Sequence, residues 1–396
     1  MTENNLLALF DETINRREVP ALKCHPVVVG EDGLDLFAAG VADMDFKAPP
    51  VVLEAMQKRL NHGVFGYETV SPELKSALIN WLRIQHQWPV AEEHILTSPN
   101  ILTALAMAAS LFTEPGDAVI VQPPVFFDFF DVLDENHRRI VKNPLIYDRG
   151  YYRMDFDDLE TKAADPKTRM IYLCNPHNPV GRVWSETELT TLGDICQRHD
   201  VLVVSDEMHA DLVFGDHRYT AFASLGADYA ANCITCISPA KTFNIASCCA
   251  AFTLIADADK RKAFQIENSR LSVNKNNPFA NVAMQAAYAD GEPWLKAVIR
   301  YLRDNVEIVR ETLRPFPAVR LVEPEATFLL WIDFNGLGLS LEELNDFLRG
   351  KAKWSVTRGQ SFGEEGNGFA RVNIACTRAR LKAALDSLEQ ALSAQI

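Results

Sequence analysis

Short apolar runs, each closing on a cluster of polar residues, recur through the middle of the chain. They lie at 117–122 (DAVIVQ), 170–174 (MIYLC), 201–205 (VLVVS) and 233–238 (CITCIS). All are rich in β-branched residues, and the stretches between them carry helical period; 186–199, for instance, sets Leu189, Leu192 and Ile195 on one face. Continuous apolar strands separated by helices predict a mostly parallel sheet buried on both faces, because the crossover helices cover both sides. The fold class is α/β. After about Asn281 the alternation loosens into a long helix at 294–313, strands at 319–322, 327–333 and 369–374, and helices at 341–348 and from Arg378. That is the pattern of a smaller α+β domain. The first 45 or so residues have no core of their own and are expected to pack on it. The expected division is a large domain over 46–285 and a small one from 1–45 and 286–396.

Composition narrows the function. With 39 basic and 53 acidic residues the net charge is −14, which argues against a nucleic-acid partner. A hydrophobic fraction of 48% and a charged fraction of 23% exclude disordered and collagen-like chains. The start has no basic segment leading into an apolar one, and the apolar run 248–256 is too short to span a bilayer. A cytoplasmic protein with no membrane partner is expected. The eight cysteines are scattered, so no disulfide framework follows. Cys233 and Cys236 sit inside an apolar strand and read as filler rather than a redox or metal pair. Cys248-Cys249 also reads as small buried filler, and no metal site is expected.

The chemistry collects where the strands stop. The run 170–174 enters Asn175-Pro-His-Asn178-Pro-Val-Gly181-Arg182, 201–205 enters Asp206-Glu-Met-His209, and 233–237 enters Ser238-Pro-Ala-Lys241. Roughly 30 residues separate one cluster from the next, room for a helix and a strand. Ligands of open α/β sheets bind outside the carboxyl ends of the strands, so these clusters should meet in one cleft. A lysine there can lose its proton by desolvation and form an imine, and an aspartate can hold a cation on a ring nitrogen. Pyridoxal phosphate needs both. It also needs an anion site, which Ser98-Pro-Asn100-Ile101-Leu102 supplies at a helix start through the N–H groups of Ile101 and Leu102. Ser238, three residues before Lys241, can add a hydroxyl.

On these motifs the chain resembles the fold-type I pyridoxal-phosphate enzymes of the class I/II aminotransferase superfamily, from Val41 to Arg380. The resemblance implies an aspartate aminotransferase-like fold with a seven-stranded sheet. Asn178-Pro-Val-Gly is similar to the family's N-P-T-G, implying that Asn178 contacts the ring hydroxyl. Asp206-x-x-His209 is similar to D-x-x-Y, implying Asp206 on the pyridine nitrogen and His209 near the ring hydroxyl. Ser238-x-x-Lys241 is similar to S-x-x-K, whose lysine holds the cofactor, and Arg371 matches the arginine that grips the substrate α-carboxylate. Finer features, Ala42-Asp-Met-Asp-Phe46, Gly63-Val-Phe-Gly-Tyr67, Ser205-Asp-Glu-Met-His209 and Pro324-Glu-Ala-Thr-Phe328, resemble the cystathionine β-lyase-like C–S lyases (the MalY/PatB group). By that resemblance Tyr67 reaches the cofactor phosphate of a partner subunit, implying a homodimer with shared active sites. The chain departs from the family at three positions. Phe126 stands where a tyrosine usually stacks on the ring, Cys249 where many members place a phosphate-binding arginine, and Asn100 where glycine precedes the phosphate helix, a position that suits an N-cap.

Plainer readings compete at single positions. Asp206 alone could cap a helix, His209 could be a core histidine, and Tyr67 could be interface packing. His177, between two prolines, suits structural hydrogen bonds. Of the aromatic run Phe126, Phe127, Phe129 and Phe130, only Phe126 is assigned to the cofactor. Glu207 and Asp211 look like paired carboxylates, but are expected to balance arginines or lie on a solvated face. The ordered set of Asn178, Asp206, Lys241 and Arg371 carries the assignment. The function implied is a C–S β-lyase turning cystathionine or another cysteine S-conjugate into a thiol, pyruvate and ammonia. The alternatives are an aminotransferase of aromatic or neutral amino acids, and a regulatory partner protein that retains the fold.

Overall fold

The four apolar runs become the central strands of a seven-stranded sheet. The computed structural model describes residues 3–30 and 35–395. In chain order the strands are β1 Ile95–Ser98, β2 Ala118–Val121, β3 Arg139–Lys142, β4 Thr168–Cys174, β5 Leu202–Asp206, β6 Cys233–Ile237 and β7 Ala251–Leu254. Their spatial order is β1-β7-β6-β5-β4-β2-β3, and only β7 runs antiparallel to its neighbours. Alternate residues serve opposite faces. Val119, Val121, Tyr172, Val204 and Ile234 pack on α1 (Ile101–Phe112) through Ala104, Leu105 and Ala108. Ile120, Ile171, Leu173 and Val203 pack on the helix Glu186–Arg198 through Leu189, Leu192 and Ile195, the face read from the sequence. Each such side chain stabilises the fold by about 1.5–3 kcal/mol on burial. Tyr172, buried among them, places its hydroxyl on the Leu105 carbonyl at 2.8 Å.

Two of the other three strands escape the apolar-run signal. β3 is an edge strand with a charge at each end (RIVK), and β1 is four residues with two polar ones. β7 lies inside the run 248–256.

The second sheet is antiparallel throughout. Its strands are β8 Arg320–Leu321, β9 Leu329–Asp333, β10 Thr357–Arg358 and β11 Phe369–Asn373, in the order β8-β9-β11-β10. Leu330, Ile332 and Val372 share one core with Leu295, Val298 and Leu302 of the helix Glu292–Leu313 and with Leu381, Leu385 and Leu388 of Arg378–Ser393. The start of the chain joins this core. Phe10 meets Trp294 and Tyr301, each at 5.5 Å between ring centroids, and Phe37–Ala38 pairs with Trp354–Ser355. Among the described residues no helix is long and apolar enough to cross a membrane.

Candidate active site

The carboxyl ends of β4, β5 and β6 bring their clusters together. Asp206 is the last residue of β5, level with Cys174 on β4 and Cys236 on β6. It accepts the Met208 N–H at 3.1 Å, but no helix follows, so it is not an N-cap. Burial pushes its carboxyl up to about 6, against the pull of the Met208 N–H and the Lys241 charge. It is still ionised at neutral pH. His209 is buried with Nδ1 unpartnered. Burial, then the charges of Lys241 and Arg371, push the imidazole down to about 3, so it is neutral.

Lys241 lies in the short helix Pro239–Thr242, which Ser238 caps by accepting the Ala240 N–H at 3.1 Å. Its Nζ donates to the Ala42 carbonyl at 2.6 Å. Burial lowers its pKa, and the Arg371 charge adds to this, while Asp43, Asp206 and Asp128 oppose it. The net effect is an amine that gives up its proton more readily than a free lysine, as a nucleophile or general base requires.

Arg371 reaches the cleft from β11 and is 3% exposed. One Nη donates to Asn178 Oδ1 at 3.1 Å and the other to the Gly40 carbonyl at 2.8 Å, while Phe362 lies 4.9 Å beneath the guanidinium. Nε has no partner, and among the described residues no carboxylate comes within ion-pair distance. Burial pushes this guanidinium down to about 10, with Asp128 opposing. A buried cation without an anion is costly, so the site calls for an anionic ligand. Asn178 is held by the turn at Gly181, whose φ of +76° suits glycine; a Cβ there would press on Pro324 Cα at 3.3 Å.

The candidate anion site lies around the start of β7. Asn100 caps α1 through the Thr103 N–H at 2.8 Å, which leaves the N–H groups of Ile101 and Leu102 as open donors. Ser98 pairs with Ala251, and Ser238 Oγ bonds the Ala250 carbonyl at 2.7 Å, so the helix start and Ser238 flank the same strand end. Cys248 is half-buried and Cys249 exposed at that end, which corrects their reading as buried filler. Cys233 and Cys236 are buried in β6, and no metal-binding group occurs among the described residues.

The aromatic run divides. Phe129 enters the core against Tyr172 at 5.3 Å, Phe127 packs on Phe362 at 5.6 Å, and Phe126 stays half-buried. Tyr67 does not join the site within this chain. It is fully exposed, as are, in part, Val64 and Phe65. His177 makes a structural contact, its Nε2 lying 2.9 Å from the Pro124 carbonyl.

Glu207 and Asp211 correct the sequence reading, since Glu207 is buried, Asp211 is half-buried, and neither meets an arginine. Glu207 takes Ser205 Oγ at 2.8 Å, the Phe222 N–H at 3.1 Å and the Tyr219 hydroxyl. Asp211 takes Trp81 Nε1 at 2.9 Å, His86 at 2.7 Å and Thr242 Oγ1 at 2.8 Å. Two features were missed or only partly read from the sequence. The strap 40–46, whose carbonyls hold Arg371 and Lys241, was read only as a branch motif at 42–46. Asp128 was not read at all; a single charge set in an aromatic run was its only signal.

Known proteins share this sequence pattern and fold. The family model "Aminotransferase class I and II" matches residues 35–388. Cystathionine beta-lyase PatB of Bacillus subtilis is 44% identical over 91% of this chain and 93% of its own. Cystalysin from Treponema denticola, whose crystal structure contains a pyridoxal 5'-phosphate cofactor, superposes with a TM-score of 0.94 at 32% identity, covering 97% of this chain and 98% of that one. A PLP-bound C–S lyase from Staphylococcus hominis, complexed with L-cycloserine, gives 0.91 at 33% identity with 97% and 98% covered.

Proposed function

The chain belongs to the class I and II aminotransferase family, and from that premise we propose that it is a pyridoxal-phosphate-dependent C–S β-lyase. Its substrate is cystathionine or another L-cysteine S-conjugate, and its products are a thiol, pyruvate and ammonia. The observation that carries this reading is the unpaired, buried Arg371 guanidinium facing a lysine of lowered pKa across one cleft. The similarity to C–S lyases over nearly the whole chain supports lyase chemistry over transamination.

The residues present suit the cofactor in kind: a primary amine for its aldehyde, a buried carboxylate for its ring nitrogen and a helix start for its phosphate. When bound, pyridoxal phosphate supplies a carbonyl that condenses with amines and a protonated ring that draws electrons from Cα. Lys241 would hold it covalently, and Asp206 would keep the ring nitrogen protonated. Asn178 and His209 would flank the ring hydroxyl, and Phe126 would cover a ring face. The phosphate would fall to Ile101 and Leu102 N–H, Ser238 and Tyr67 of the partner subunit.

Arg371 would bind the substrate α-carboxylate, with Asn178 fixing the fork. Lys241 Nζ, released by the incoming amine, would accept the Cα proton, a contribution on the order of 10²–10⁴ in rate. The electron pair left behind would expel the thiolate from Cβ, the Lys241 ammonium would return a proton to the sulfur, and water would hydrolyse the released enamine to pyruvate and ammonia. The reading includes a homodimer with shared sites, which the exposure of Val64, Phe65 and Tyr67 supports. The proposal includes a cytoplasmic location and a division into 46–285 and 1–45 with 286–396.

The test is a product assay on the cofactor-loaded protein. L-Cystathionine alone should yield pyruvate and homocysteine. Absolute dependence on an added keto acid would make the protein an aminotransferase instead.

A further inference from the structure

Asp128 opens α2 (Asp128–Glu135) and is the one charge in the stretch 126–130. Its carboxylate is half-buried, and no hydrogen bond or ion pair within the chain engages it among the described residues. The turn that carries it is locked to the floor of the site. The Val125 N–H donates to the Phe362 carbonyl at 3.0 Å, Phe127 packs on the Phe362 ring at 5.6 Å, and that ring lies under Arg371 at 4.9 Å. From this position the Asp128 charge acts on Arg371, Lys241 and Asp206 alike.

Both cations that face Asp128 have other work in the lyase. Arg371 is neutralised by the substrate α-carboxylate, and Lys241 is committed to the cofactor and the Cα proton. With substrate in place, Asp128 would be left facing a carboxylate and no free cation. Like charges in a partly desolvated site repel, and the neighbouring Asp131 carboxylate adds to that repulsion. A substrate that brings its own cation offsets it.

We infer that Asp128 is a specificity-determining residue that recognises an ammonium group on the leaving-thiol side of the substrate. The substrate class is thereby narrowed to cysteine S-conjugates that carry a second amino group. This rests on the β-lyase reading given above.

The test compares two compounds that differ only in that group, L-cystathionine and S-(3-carboxypropyl)-L-cysteine, with the loaded wild type, Asp128→Asn and Asp128→Glu. The wild type should favour L-cystathionine in kcat/KM by about tenfold or more, of the size that charged-pair recognition gives. Asp128→Asn should reduce that ratio at least about tenfold, chiefly through KM, and Asp128→Glu should keep most of it. Should Asp128→Asn fail to fold, Asp128→Ser reads the same ratio. A ratio unchanged by loss of the charge, including one where both compounds weaken equally, overturns the inference. If the wild type releases pyruvate from neither compound, the lyase reading fails separately. The ratio is then read from dissociation constants, followed by the cofactor's visible absorbance.

Discussion

Lys241 Nζ donates its 2.6 Å hydrogen bond to a carbonyl 199 residues earlier in the chain, that of Ala42. The acceptor belongs to a strap that is stitched down along its length. Arg371 holds the Gly40 carbonyl at 2.8 Å, and Asn373 Nδ2 holds those of Val41 at 2.7 Å and Asp43 at 2.6 Å. Asn244, three residues past Lys241, donates to the Met44 and Phe46 carbonyls at 3.0 and 2.7 Å. The strap therefore ties the lysine of the large sheet to the arginine of the small one.

Asp45 anchors the end of that strap. It takes Lys23 at 2.9 Å, Arg16 at 3.0 Å and Arg380 at 3.0 Å, and the Lys23 side chain is only 2% exposed. Removing one partner of a buried pair strands the other charge. Asp45→Ala is expected to destabilise the protein by about 3 kcal/mol, with Asp43, 3.5 Å from Lys23, absorbing part of the loss. Lys23→Met, which leaves Asp45 two arginines, should cost much less. Urea denaturation of the two variants checks the order, and equal losses would refute it.

Lys241→Ala should abolish turnover and leave no pyridoxyl group on the polypeptide after borohydride reduction. Ser238 still caps the helix, and Ala42 keeps a carbonyl that water can reach. The variant's fold, read by circular dichroism, should therefore match that of the wild type. Borohydride trapping at any other lysine of the wild type would move the assignment away from Lys241.

Arg371→Ala should weaken amino-acid binding by about 2–5 kcal/mol while the cofactor's visible absorbance persists. Arg371→Lys should recover little of this. A lysine cannot bridge the Asn178 side chain and the Gly40 carbonyl while presenting a fork to a carboxylate. A normal KM in either variant would mean that the α-carboxylate binds elsewhere.

What the sequence reveals follows from burial. The central strands are legible because both faces are covered and most of their residues must be apolar. The edge strand β3 is not, because its Arg139 and Lys142 look like a loop. Asn178, Asp206 and Lys241 are legible because polar side chains directly after apolar strands have one place to go. Asp211 was misread because its partners Trp81 and His86 lie more than 100 positions away. Glu207 was misread because its partners, Tyr219 and Ser205, are near in sequence but neutral, so no opposite charge marks them. The exposed Tyr67 shows a further limit, since its proposed partner lies on a second copy of the chain.

Asp206 should set function against stability. Folding raises its carboxyl from the ordinary 3.8 to about 6, chiefly through burial, so the folded chain binds this proton more tightly than the unfolded one. Between about pH 4 and 6 its contribution to stability therefore falls as pH rises, and at neutral pH the buried charge costs on the order of 3 kcal/mol. Asp206→Asn removes the titration and keeps an oxygen to accept the Met208 N–H. The cofactor-free variant is expected to be more stable than the cofactor-free wild type at pH 7.5, by up to about 3 kcal/mol, with the gap closing toward pH 4. Urea denaturation at the two pH values measures the gap. A gap that is absent at pH 7.5, or that widens on acidification, would contradict the burial of an ionised Asp206. With cofactor bound the order should reverse, because a protonated ring nitrogen supplies the cation that the free carboxylate lacks. Turnover of the loaded variant should then fall by on the order of 10²-fold or more, since an amide cannot hold that proton in place.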